Sequence, residues 1–138
     1  MKFYRTTISL IAWIAVAVGT GTLRAETTKE AVDRLWNAYP SIDNKFFDKK
    51  YWLLSQAVAK EQGIAVIKPV LMLSKDWKGE EGLFFMPLIE CLPRDQVIPL
   101  LQHYKKNGTA WERRCADDFL TEIDSEEFKR LKKDFLVP

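Results

Sequence analysis

Apolar residues recur at helical spacing along most of this chain, and no run of period-two alternation is long enough for a strand. The densest stretch runs from Ile64 to Ile123 and falls into two matching halves. The first half reads Val66-Ile67-Lys68-Pro69-Val70-Leu71-Met72-Leu73, then polar residues from Lys75 to Glu81, then an apolar run from Leu83 to Leu92. The second reads Val97-Ile98-Pro99-Leu100-Leu101, a break from Lys105 to Ala110, then Trp111 to Ile123. Pro69 and Pro99 stand 30 positions apart, and Leu92 and Ile123 stand 31 apart. A self-similar period in this range signals stacked supersecondary units.

The flanking elements follow the same logic. A first helix is expected from Thr28 to Ala38, capped by Thr27 or Thr28, with Ala31, Val32, Leu35, Trp36 and Tyr39 on one face and Pro40 as its stop. Ser41 to Asp48 reads as a turn holding Phe46 and Phe47. Asp48 is a cap for a second helix, Lys49 to Gln62, which Gly63 ends. A third helix spans Ile64 to Trp77, with Pro69 in its first turn or at a kink and Gly79 at its end. The fourth, Leu83 to Leu92, is apolar nearly all round and so belongs at the centre. The fifth spans Arg94 to Lys106, with Val97, Leu100, Leu101 and Tyr104 forming its stripe. Thr109 with Glu112 three residues on is a capping box for the sixth. A last helix, Ser125 to Phe135, carries Phe128, Leu131 and Phe135 on one edge.

The second of the two halves resembles a HEAT repeat. Pro99, Leu100 and Leu101 stand where that family has an early proline followed by leucines, and Arg113 or Arg114, Ala116, Leu120 and Ile123 match its second helix. The first half keeps Pro69, Leu71 and Leu73 but has no arginine in its second helix, and it adds Pro87. The resemblance implies an all-α fold of stacked antiparallel helical hairpins, a short HEAT-like bundle. An ordinary helical bundle is the alternative.

The start of the chain changes the picture of its charge. Lys2 and Arg5 precede an apolar run from Ile8 to Val18, broken only by Ser9. Gly19 to Thr22 then breaks the helix, and Leu23-Arg24-Ala25 offers a cleavage site. This is the layout of a secretory signal peptide over residues 1–25, with Gly21 as an earlier cleavage point. Its apolar run is short for a bilayer, which needs about 20 residues. The mature chain, residues 26–138, is then expected to be one helical domain, periplasmic and without a membrane span. The full chain carries 21 basic and 19 acidic side chains. Lys2, Arg5 and Arg24 leave with the signal peptide, so the basic excess is a targeting feature and no nucleic-acid partner is indicated.

Cys91 and Cys115 are the two cysteines. In an oxidising compartment a pair most simply forms one bridge, and that is the expectation. Strict repeat register would offset the two by about two helical turns, beyond the reach of a disulfide. The bridge therefore needs irregular register around Pro87 and Pro93; two separate buried thiols are the alternative.

Catalytic chemistry is not visible. One histidine, His103, lies off the apolar stripe and is expected to be exposed. No Cys-x-x-Cys pair, nucleophile elbow or phosphate loop occurs, and no metal or cofactor is implied. Met72 and Met86 read as core gap fillers, while Trp77 and Trp111 read as plugs near the hairpin loops. Asp117, Asp118 and Glu122 form an acidic group on the sixth helix. With Trp111 they are the candidate partner-binding residues, beside the loop Lys105 to Trp111.

Export, small size and a helical stack without catalytic residues point to an exported protein-binding module. The layout is similar to that of the helical immunity proteins of type VI secretion amidases, a likeness of layout alone. It implies a periplasmic immunity or inhibitor protein that occludes a secreted amidase-type effector. The alternative is a non-inhibitory envelope assembly or scaffold protein. A homodimer is left open.

Overall fold

The computed structural model describes residues 26–38, 48–77 and 81–136. The expected signal peptide, Tyr39 with Pro40, the turn with Phe46 and Phe47, and Gly79 lie outside the described residues. The fold is all-α. Its helices are α1 (Thr28–Asn37), α2 (Lys49–Gln62), α3 (Ile67–Leu73), α4 (Met86–Glu90), α5 (Arg94–Asn107), α6 (Ala110–Glu122) and α7 (Glu126–Phe135). Three 3-10 stretches, Gly63–Val66, Ser74–Asp76 and Glu81–Phe85, join the middle of the chain. Among the described residues there is no strand.

The starts of α1, α2, α6 and α7 are set by side-chain caps. Thr27 accepts from the Glu30 amide at 3.1 Å, and Glu30 returns a bond to the Thr27 amide at 2.8 Å. Asp48 accepts from the Tyr51 amide at 3.0 Å. Ser125 accepts from the Phe128 amide at 3.3 Å. Each bond satisfies an amide that the first turn of a helix leaves unpaired. Gly63 ends α2 at φ +62°, a left-handed conformation open to glycine at little cost.

The short α4 is the centre of the domain. Met86, Pro87, Leu88, Ile89 and Glu90 are all buried. The helix lies between α2 and α7 and also touches α6. Pro87 sits in its first turn, where a missing amide hydrogen costs nothing. Trp52 and Tyr51 of α2 are fully buried beside it, and the Tyr51 hydroxyl donates to the Phe84 carbonyl at 2.8 Å. Burial pushes the Tyr51 phenol well above its ordinary pKa.

Among the described residues α5 and α6 make the most extensive helix pair. The expected first half is built differently. Its 3-10 stretches leave α3 seven residues and α4 five. α3 lies chiefly against α6 and α1, and α4 chiefly against α2 and α7. The third helix expected over Ile64 to Trp77 is thus three pieces, with Pro69 in the first turn of the middle one.

Two core expectations divide. Met86 is fully buried, but Met72 is 55 % exposed. Ile67, Val70 and Leu71 take the inward face of α3 at i, i+3 and i+4. Met72 is one residue further on and so rotated about 100° away from that face.

Candidate functional site

The candidate residues lie on and around α6. Thr109 caps it, accepting from the Glu112 amide at 3.3 Å, while the Glu112 carboxylate accepts from the Thr109 amide at 2.9 Å. Glu112 is itself buried and receives Lys68 of α3 at 2.8 Å. The Lys68 bond, reinforced by the Thr109 amide, holds the Glu112 carboxyl below its ordinary pKa. The Lys68 ammonium also sits 5.4 Å from the centre of the Tyr104 ring, which ties α3, α5 and α6 together at one point.

The loop before α6 is only Gly108 and Thr109. The Gly108 amide donates to the Tyr104 carbonyl at 2.9 Å, and Arg113 donates to the Gly108 carbonyl at 2.8 Å. A side chain at Gly108 would meet that Tyr104 oxygen at 2.7 Å. Lys105 and Lys106 belong to the last turn of α5, and Trp111 to the first of α6. This is a two-residue turn held by hydrogen bonds on both sides.

The acidic group does not form one patch. Asp117 and Asp118 are both exposed, but consecutive helical residues point about 100° apart. Asp117 turns towards α5 and pairs with Lys105 at 2.9 Å. Asp118, Glu122 and Thr121 turn the other way and line a small pocket of about 120 Å³ with Gly82 and Leu83. Trp111 shares the Asp118–Glu122 side of the helix, two turns earlier. It is half-buried, and the Lys75 ammonium lies 5.7 Å from its ring centre.

A larger open trough of about 590 Å³ runs between α5 and α6. Ile98, Leu120 and Ile123 supply its apolar surface, and Gln102, Lys105 and Lys106 supply its polar rim. Sequence reasoning missed it. The available signal was Ile98, Gln102 and Lys105 at i, i+4 and i+7, one flank of α5 beside its buried stripe.

Cys91 and Cys115 are both free, which corrects the expected bridge. Cys91 ends α4, with Lys132 and Arg94 as charged neighbours. Cys115 points from the middle of α6 towards Ser74, and its Sγ lies 3.7 Å from the place a Cβ on Gly82 would take. α4 does not pair with α6 in repeat register, so nothing brings the two thiols face to face. Burial pushes the Cys91 thiol up to about 11 and the Cys115 thiol up to about 12. Neither is activated as a nucleophile.

His103 is exposed, edge-on to Tyr104 at 5.6 Å. Among the described residues no three His, Cys, Asp or Glu side chains gather as a metal site. Among the same residues no helix is long and apolar enough to cross a membrane. In comparison with known proteins, no family model, no curated protein and no solved structure matches this chain.

Proposed function

We propose that this chain is an exported protein-binding module, and specifically a periplasmic immunity or inhibitor protein that neutralises a cell-wall-degrading effector by occlusion. The observation that carries the reading is α6. It is a 13-residue helix with a closed capping box, anchored through buried Glu112, Cys115, Ala116 and Phe119. It holds exposed Asp118 outward beside Glu122 on this rigid support, while exposed Asp117 faces Lys105 on the neighbouring flank. A rigid edge loses little entropy on docking, which favours tight and specific contact. The carboxylates would approach the polar groups of an amidase cleft and fill the space of the substrate. The two-residue α5–α6 turn, the raised thiol pKa values and a lone exposed histidine are consistent with a body that binds and does not catalyse. The signal-peptide layout of residues 1–25 supports an encounter outside the cytoplasm.

The test is to look for a secreted cell-wall hydrolase encoded beside this gene and, with that enzyme purified, to measure its inhibition. The purified mature chain should abolish its release of peptide from cell-wall fragments at a one-to-one ratio. The double substitution Asp117→Lys with Asp118→Lys should weaken inhibition at least tenfold. A hydrolase that keeps full activity with excess chain present would sink the reading. A stable complex with a resident envelope protein instead would indicate a scaffold role.

A further inference from the structure

The trough between α5 and α6 adjoins the α6 carboxylate edge through the Lys105–Asp117 pair, but its apolar surface lies outside that edge. Its apolar surface comes from Ile98 on one side and Leu120 with Ile123 on the other, three half-buried aliphatic side chains. Its rim is basic. Lys105 shares its charge with Asp117 at 2.9 Å. Lys106 is exposed and forms no ion pair among the described residues. Two ammonium groups thus stand beside one carboxylate, in a chain whose mature part has no basic excess.

We propose that this trough seats an amphipathic, acidic helical segment of a protein partner. An open channel between two parallel ridges suits a helix laid lengthwise, whose apolar residues at i, i+3 or i+4 and i+7 would meet Ile98, Leu120 and Ile123. Carboxylates on the flank of that segment would answer Lys106 and compete with Asp117 for Lys105. Charge also argues against a second copy of this chain. A two-fold contact centred on the trough would bring the lysine pairs of both copies towards one another, and like charges across an interface are costly. The inference rests on reading the chain as a protein-binding body, and it adds a second surface with the charge of its partner.

The experiment uses the full mature chain and a fluorescein-labelled synthetic 18-residue helix with leucines at heptad a and d positions and glutamates at its flanks. A control peptide carries lysine in place of each glutamate. The acidic peptide should raise anisotropy on binding, lose affinity with added salt, and bind at least tenfold better than the control. Lys106→Glu changes an exposed residue, so it keeps the fold, and it should weaken the acidic peptide at least fivefold. Leu120→Glu should abolish binding. Equal binding of both peptides, an unchanged affinity in Lys106→Glu, or no binding at all would overturn the proposal. So would dimerisation of the chain at micromolar concentration that Leu120→Glu removes, because a second copy would then cover the trough. Binding to phosphatidylglycerol vesicles without binding to the peptide would overturn it as well. If the hydrolase is inhibited and the peptide is not bound, this inference falls alone. If the peptide is bound and the hydrolase is untouched, the inhibitor reading falls and the trough stands.

Discussion

The carboxylate of Glu90 accepts a hydrogen bond from the backbone amide of Asp124 at 2.8 Å, across 34 positions of chain. Glu90 is 0 % exposed and ends the central helix α4. Its other oxygen receives Arg94 at 2.7 Å, and Arg94 is bound in turn by the Asp124 carboxylate. Lys132 of α7 donates to the Glu90 carbonyl at 2.9 Å. One buried acid thus joins the end of α4, the start of α5, the α6–α7 turn and α7. Asp124 holds φ +63° in this arrangement, a conformation that aspartate tolerates better than most residues.

Removing that acid should be costly. Glu90→Ala leaves Arg94 short of a partner and the Asp124 amide without an acceptor. Arg94 is only partly buried and keeps Asp124, so the cost falls below that of orphaning a fully buried charge, at about 2–4 kcal/mol. Glu90→Gln keeps an acceptor for the amide and should lose roughly 1–3 kcal/mol. Urea unfolding followed by circular dichroism reads both, and a loss in Glu90→Ala no larger than in Glu90→Gln would contradict the arrangement.

Acid should weaken the fold through two carboxyls. Arg94 holds Asp124 below its ordinary pKa, and Lys68 with the Thr109 amide does the same for Glu112. For a depressed carboxyl the stabilisation is fully present above the unfolded pKa, about 4. It is lost as pH falls from there through the lower folded value. The urea midpoint should hold from pH 7 to about 5 and fall between about 4 and 2. The pair Asp124→Asn with Glu112→Gln should flatten that fall, and an unchanged slope would remove both groups from the account.

The thiols should be present and slow. Free Cys91 and Cys115, raised by burial, predict two reactive groups per chain in guanidinium and almost none in native buffer when titrated with Ellman's reagent. Dithiothreitol should leave the melting temperature unchanged. A native mass two hydrogens short of the sequence mass would restore the bridge.

Two glycines should respond differently to alanine. At Gly108 the added carbon would stand 2.7 Å from the Tyr104 oxygen and 2.8 Å from Glu112 Cβ. Crowding of this kind costs about 1–3 kcal/mol and would strain the α5–α6 turn. At Gly63 nothing lies within 4 Å, so only the φ of +62° opposes a side chain. With ψ at −153° this backbone is nearly exclusive to glycine, and a side chain there costs about 1–3 kcal/mol. Thermal melts of the two variants order the effects.

How much of this was legible depended on the kind of signal. Asp48, Lys49–Gln62 and Gly63 were read as cap, helix and stop, and the structure agrees because each is a local decision of one side chain or one φ angle. The Thr109–Glu112 box is another such case. The stretch from Ile64 to Leu92 was harder. Pro69, Pro87 and Gly82 permit either helix or 3-10 backbone, and packing around α4 decides between them. Cys91 and Cys115 misled because their pairing depends on helix register, which composition does not encode. Asp117 and Asp118 read as one acidic group because they adjoin in sequence. On a helix adjacency separates them, one towards Lys105 and the other towards Leu83.

The indoles of Trp36 and Trp77 lie 6.0 Å apart, with Phe85 stacked on each at 5.3 and 5.8 Å. Three distant segments therefore meet in a cluster of interacting chromophores. Chromophores this close couple optically, so the near-ultraviolet dichroism of the unlabelled protein reports on that junction. A ligand that prises α1 from the residues around Trp77 would announce itself in the spectrum, with no dye attached.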